Sequence, residues 1–191
     1  MMKRIGWFAV LAGLMLLCGS ATAWGSEPPQ VGGKLPDFSL DIPKESTERA
    51  YLGLSGSGTF KVPEIKTQSV IIEIFSMFCP YCQREAPKLN EVYEKIEADP
   101  ALKGRIKLIG IGAGNSLFEV GVFKKKYGVA FPLFPDEELI LHERLGSTRT
   151  PYFIALKINP DGSHRVIHSH LGAFGSVDKF LEEIVKSSEL Q

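Results

Sequence analysis

Cys79 and Cys82, in the stretch SMFCPYCQREAP from Ser76 to Pro87, are the cysteines that remain once Cys18 of the N-terminal apolar run is set aside. A C-x-x-C pair suits three chemistries: a redox dithiol, half of a zinc site, or a staple across one turn. As a staple it is poorly placed, because closing so small a loop removes little entropy from the unfolded chain. A zinc site wants a second C-x-x-C or a helix carrying H-x-x-x-H, and the sequence offers neither. His168 and His170 alternate with Ser169 on a late strand, where they are expected to face the same side as Val166. They read as hairpin histidines, and no metal is expected. What remains is thiol–disulfide exchange, with Cys79 and Cys82 opening and closing as a redox disulfide and no cofactor beyond the pair.

Exchange needs a thiolate, because the thiolate is the nucleophile. Pro80 suits the first position of a helix, where a missing N–H costs nothing. Cys79 then stands at the N-cap, facing unpaired backbone N–H groups and the positive end of the helix dipole. Cys82, one turn on, lies on the same side of the helix and can resolve a mixed disulfide.

The elements that must hold this pair follow from patterning. Ser69 to Phe75, SVIIEIF, is β-branched and almost wholly apolar, which predicts a buried central strand. The helix from Pro80 runs to about Ala98, with Ala86, Leu89, Val92, Tyr93 and Ile96 along one face. Arg105 to Gly112 reads as a second buried strand. Leu117 to Tyr127 reads as a helix with Phe118, Val122 and Phe123 inward, and Lys124 to Lys126 solvated at its end. Phe131 to Phe134 is expected extended and Glu137 to Leu145 helical. Tyr152 to Ile158 and Arg165 to Leu171 form a hairpin about the NPDG turn at Asn159 to Gly162, and Val177 to Ser187 is an amphipathic helix. Upstream, Leu35 to Leu40 and Thr59 to Val62 read as short strands, and the polar, Gly/Ser-rich stretch from Asp41 to Gly58 as loop. The expected class is α/β, a central mixed sheet flanked by helices.

Glu73 lies in the middle of the apolar strand. It either faces water at a sheet margin or is buried, in which case its pKa rises and it becomes a proton acceptor for Cys82. Glu85 is either an ordinary first-turn acid favoured by the helix dipole or part of the dithiol's machinery.

These residues together resemble the thioredoxin superfamily, and within it the exported TlpA/ResA-like, redoxin-type branch. Glu73, six before Cys79, stands where thioredoxins keep a buried carboxylate. Pro87, eight after Cys79, matches the kinking proline of the active-site helix. Cys79 to Pro87 reads C-x-x-C-x-x-E-x-P, and KLPDFSL at Lys34 to Leu40 looks like the branch's opening. Thr150-Pro151 resembles the cis-proline loop that packs against the dithiol. The resemblance implies a thioredoxin-like fold with an N-terminal strand extension and a helical insertion before the cis-Pro loop. It also implies catalytic roles for Cys79, Cys82, Glu85 and Glu73, and substrate binding by Thr150, Pro151, Phe78 and Tyr81. Phe78 stands where thioredoxins carry Trp, and the inner pair Pro80-Tyr81 is of the glutaredoxin type.

Lys and Arg number 22 against 22 Asp and Glu, with no basic block after the first few residues, which argues against a nucleic-acid partner. Lys3 and Arg4, the apolar run from Ile5 to Cys18, and Ala21-Thr22-Ala23 read as an export signal cleaved after residue 23. A retained anchor and a lipoprotein signal at Cys18 are the competing readings, and all three place the domain outside the cytoplasm. Residues 24–34 are expected as a flexible leader and 35–191 as one domain, monomeric. The expected function is exchange with protein thiols and disulfides, in the reducing direction and fed by a membrane electron donor, with apocytochrome c cysteines as one substrate. Thiol peroxidase, disulfide oxidase or isomerase, and a non-catalytic binding module are the alternatives. Against the peroxidase, Ile72 stands where peroxiredoxins carry proline.

Overall fold

The computed structural model describes residues 27–190. The export signal expected over 1–23, its competing readings and residues 24–26 of the leader lie outside the described residues. No helix among the described residues is long and apolar enough to cross a membrane.

The chain begins with β1 (Leu40–Asp41), α1 (Ser46–Leu52) and β2 (Thr59–Phe60). It then alternates through β3 (Ser69–Phe75), α2 (Pro80–Ala98), β4 (Ile106–Ala113), α3 (Leu117–Tyr127), β5 (Leu133–Asp136) and α4 (Ile140–Arg144). The hairpin of β6 (Tyr152–Ile158) and β7 (His164–Leu171) follows, and α5 (Val177–Ser188) closes the fold. The main sheet has the order β5-β4-β3-β6-β7, while β1 and β2 pair separately. β3, β4 and β5 are parallel, and β6 and β7 run antiparallel to their neighbours. α4 occupies the place of the helical insertion expected before the cis-Pro loop.

β3 is central, and all seven of its residues are buried. Strand alternation therefore sorts them into two cores. Ile71 and Phe75 face one layer with Leu89 and Ile96 of α2, Phe123 of α3 and Phe180 of α5. Val70, Ile72 and Ile74 face the other, with Leu52, Phe60, Ile109 and Ile111. Glu73 shares the parity of Ile71 and Phe75, so its side chain points beneath α2 rather than to solvent.

Several local expectations are corrected. The segment 41–58, read as loop, contains α1, which buries Leu52 and ends at Gly53 in the left-handed region (φ 67°). The expected strand over 35–40 shrinks to β1, although Leu35, Phe38 and Leu40 are still buried. On α3 the inward residues are Val120 and Phe123, whereas Phe118 is 78% exposed and Val122 37%. The reason lies in β4: Gly112 leaves a hollow in which a Cβ would sit 2.9 Å from a Val120 methyl, and that contact fixes the helix's rotation. Val166 and His168 do not share a face. The register steps from Ala155↔His168 to Leu156↔Val166, so Ile167 is an extra residue in a β-bulge. Val166 packs in one core, and the His168 ring meets Phe180 edge-on in the other.

Residues 27–34 are also not a free tether. Gly32 N–H donates to Val166 O and Val166 N–H to Gly33 O, both at 2.8 Å, and Ser169 Oγ donates to Pro29 O at 2.5 Å. The leader's described part is thereby strapped along β7.

Candidate active site

β3 and β4 finish together, with Phe75 beside Gly112, so the segments that follow them meet at one end of the sheet. Beyond Phe75 the chain turns through Ser76–Phe78, and Cys79 N–H donates to Ser76 O at 3.0 Å. Pro80 opens α2 and Cys79 is its N-cap (φ −83°, ψ 114°), with Sγ accepting from Cys82 N–H at 3.4 Å. β6 is antiparallel to β3, so its entry lies at this same end. The Thr150–Pro151 peptide bond there is cis, and the Cys79 thiol donates to Thr150 O at 3.3 Å. Both cysteines are free thiols; Cys79 is part-exposed and Cys82 buried.

The two sulfurs differ sharply in electrostatics. Burial pushes the Cys79 thiol up, but hydrogen bonding from the Thr150 side chain, Cys82 and the N–H of Tyr81 outweighs it, so its pKa lies below the usual thiol value. The Thr150 carbonyl opposes this, because it accepts only from the protonated sulfur. Cys82 is driven far up by burial, then by the charge of Glu73 and its hydrogen bond with Cys79. One sulfur is thus shifted toward the thiolate and the other held as a thiol.

Glu73 is 2% exposed, and its pKa is pushed up to about 8 by burial, then by the charges of Glu85 and Cys79. Glu85 is likewise buried, one oxygen pairing with Lys88 Nζ at 2.9 Å. Glu73 Oε1 and Glu85 Oε2 are buried without hydrogen-bond partners. The charge of Glu73 thus raises Cys82, and the charge of Glu85 raises Glu73. Of the aromatic residues expected at the site, Phe78 is 65% exposed and Tyr81 60%, with the Arg84 guanidinium 4.4 Å above the Tyr81 ring. The eight residues to which the resemblance assigns catalysis or substrate binding thus lie on this end of the sheet or directly beneath it.

Three further residues carried no motif. Asn115 is wholly buried, and its Oδ1 accepts from Met77 N–H at 2.8 Å. Gln83 Nε2 donates to Met77 O at 2.8 Å, so both backbone groups of the residue two before Cys79 are held. Lys88 pairs with Glu85 and also donates to Phe174 O. The available signals were weak: a polar residue just after a buried parallel strand, and an acid–lysine pair three apart on a helix. His168 Nδ1 lies 3.0 Å from Glu183, and no cluster of three metal-ligating side chains occurs among the described residues.

A family model described as the AhpC/TSA family matches residues 31–163, well over half of the chain. The chain belongs to the AhpC/TSA family. This family match begins in the leader, takes in the dithiol and the cis-Pro loop, and ends at the β6–β7 turn. Among curated proteins the chain is similar to the thiol-disulfide oxidoreductase ResA of Halalkalibacterium halodurans, 23% identical over 128 residues. That alignment covers 67% of this chain and 66% of the relative. It is also similar to ResA of Bacillus subtilis, 24% identical over 155 residues, covering 78% and 76%. The chain thus spans slightly under two thirds of the first relative's length. Among solved structures it resembles a putative thiol:disulfide interchange protein DsbE from Chlorobium tepidum, with a TM-score of 0.60 and 18% identity. That likeness covers 84% of this chain and 99% of the other, and at such identity it is one of fold, which is thioredoxin-like.

Proposed function

We propose that this chain is an exported thiol:disulfide oxidoreductase working in the reducing direction. The observation that supports it best is the pairing of a part-exposed N-cap thiol of lowered pKa with a buried thiol over an orphaned carboxylate. The Cys79 thiolate attacks a substrate disulfide, forming a mixed disulfide and expelling one substrate thiolate. Cys82 then loses its proton to Glu73, in that carboxyl's ionised form, and attacks Cys79 Sγ. The second substrate thiolate leaves, the substrate is reduced by two electrons, and the Cys79–Cys82 disulfide forms. Backbone at Thr150-Pro151 holds the substrate strand, and Phe78 and Tyr81 flank it. A membrane donor returns the dithiol to its reduced state, and no cofactor beyond the cysteine pair is needed. The relatives' names and the N-terminal apolar run support the reaction class and the extracytoplasmic location; apocytochrome c is one substrate to try.

With a disulfide-bearing protein, Cys82→Ser should accumulate a covalent complex on non-reducing gels, and Cys79→Ser none. Trapping through Cys82 would reverse the assigned roles. Hydrogen peroxide consumption that survives loss of Cys82 would instead support a thiol peroxidase.

A further inference from the structure

Most of the exposed large apolar side chains are not scattered. Phe78, Tyr81, Leu117, Phe118, Leu139 and Ile140 are exposed, and each follows the carboxyl end of β3, β4 or β5, whereas Val31, Val122 and Leu171 are the exposed large apolar side chains outside that set. Because those strands are parallel, the residues that follow them gather on the dithiol end. Asn115 ties the start of α3 to Met77, so Leu117 and Phe118 stand next to the loop that carries Cys79.

From Leu117 the surface falls into a cavity of about 400 Å³ between α1, α3 and the outer side of β5. A second cavity, of about 330 Å³, continues along β5 to Ile140 and Leu141. The two share Asp41, Phe134 and Pro135, so they form one groove. Its floor is apolar, and its rim carries Asp41, Glu45, Glu137 and Glu138, all exposed. None of these four makes an ion pair among the described residues, whereas Glu48 is neutralised by Lys124 at 2.6 Å. Lys44 is the single basic side chain among the groove's lining. An apolar floor under unneutralised carboxylates complements one kind of polypeptide.

We propose that the Leu117–Phe118 apex and this groove form a docking surface for the substrate protein, receiving an extended, apolar and cationic segment next to its reactive disulfide. The proposal rests on the exchange reading for its reaction but not for its binding. Apolar side chains of the segment cover Leu117 and Phe118 and enter the cavities, while its Lys or Arg side chains meet the acidic rim. Docking there raises the local concentration of the disulfide at Cys79.

Two sets of peptides on the full chain test this: disulfide-bearing peptides flanked by apolar residues with either Lys or Glu, and the same peptides with Ser in place of Cys. The Lys-flanked disulfide should be reduced about tenfold faster than its Glu-flanked counterpart at low salt, and the gap should close at high salt. Combined Asp41→Asn, Glu45→Gln, Glu137→Gln and Glu138→Gln substitution should abolish the preference while leaving the rate with a small aromatic disulfide unchanged. Leu117→Ser/Phe118→Ser should raise the half-saturating peptide concentration with little change in the maximal rate. The Ser-containing Lys peptide should bind by fluorescence anisotropy, and the quadruple variant should lose that binding. Equal rates for both disulfide peptides, or a preference that persists in the quadruple variant, would overturn the proposal. Failure to reduce even the small disulfide, with Ser-peptide binding intact, would sink the exchange reading and leave the docking surface standing.

Discussion

A carboxyl group sealed beneath a thiol has its protonation set by what it is denied. Glu73 has lost water, one of its oxygens has no donor, and its nearest charges are negative, so its proton persists to about pH 8. In the unfolded chain the same carboxyl ionises near its usual 4.5. Between those values the native state binds more protons than the unfolded one, so the stability contributed by this site falls as pH rises. Glu73→Gln removes that dependence. Thermal unfolding of the unsubstituted chain should therefore lose ground to the variant between pH 5 and pH 8, at up to about 1.4 kcal/mol per pH unit. Parallel profiles for the two proteins would show that Glu73 is not a buried acid. The same proton governs the proposed reaction: resolution by Cys82 should quicken as pH passes about 8, and Glu73→Gln should lose that limb in stopped-flow traces.

At the scale of elements, the leader and the cis-Pro loop are packed against each other through one glycine. Gly146 has φ 92°, and a Cβ there would lie 2.4 Å from the backbone nitrogen of Pro28. Backbone cannot step aside as a flexible side chain can. Gly146→Ala should cost about 1 to 3 kcal/mol in chemical denaturation and speed amide exchange at residues 30–34. Unchanged protection there would mean that the strap does not depend on this contact. Such non-local ties explain what the sequence hid. β3, α2, α3 and β6 were legible to within a residue, because each carries its own period or apolar run and its own cap or turn. α1 was not, since STERAYL is polar and sits among Gly and Ser; its one clear signal was Gly53 as a left-handed C-cap. The bulge at Ile167 was invisible because alternation cannot register an extra residue. At the site, thiols, acids and a proline announce themselves by spacing. Asn115 and Gln83 act through hydrogen bonds to the Met77 backbone N–H and C=O, which have no signature in one sequence.

For the whole molecule, the direction of electron flow is a question about folding. A thermodynamic cycle equates the stability difference between disulfide and dithiol forms with the displacement of the pair's potential from that of the unfolded chain, about 30 mV for each 1.4 kcal/mol. A reductant must be the more stable fold when oxidised. The oxidised protein should therefore unfold at a higher temperature than the reduced one, by several degrees for a difference of about 1 to 2 kcal/mol. The opposite order would mark an oxidase. The leader strapped over Val166 carries a different consequence for the molecule as a whole. β7 and β5 are the two margins of the main sheet, where unpaired backbone invites the addition of a neighbour's strand. One margin is occupied by residues 29–33, and the other is interrupted by Pro135, which has no N–H to offer. Neither margin of the main sheet therefore offers a neighbouring copy an unbroken row of backbone groups on which to add a strand.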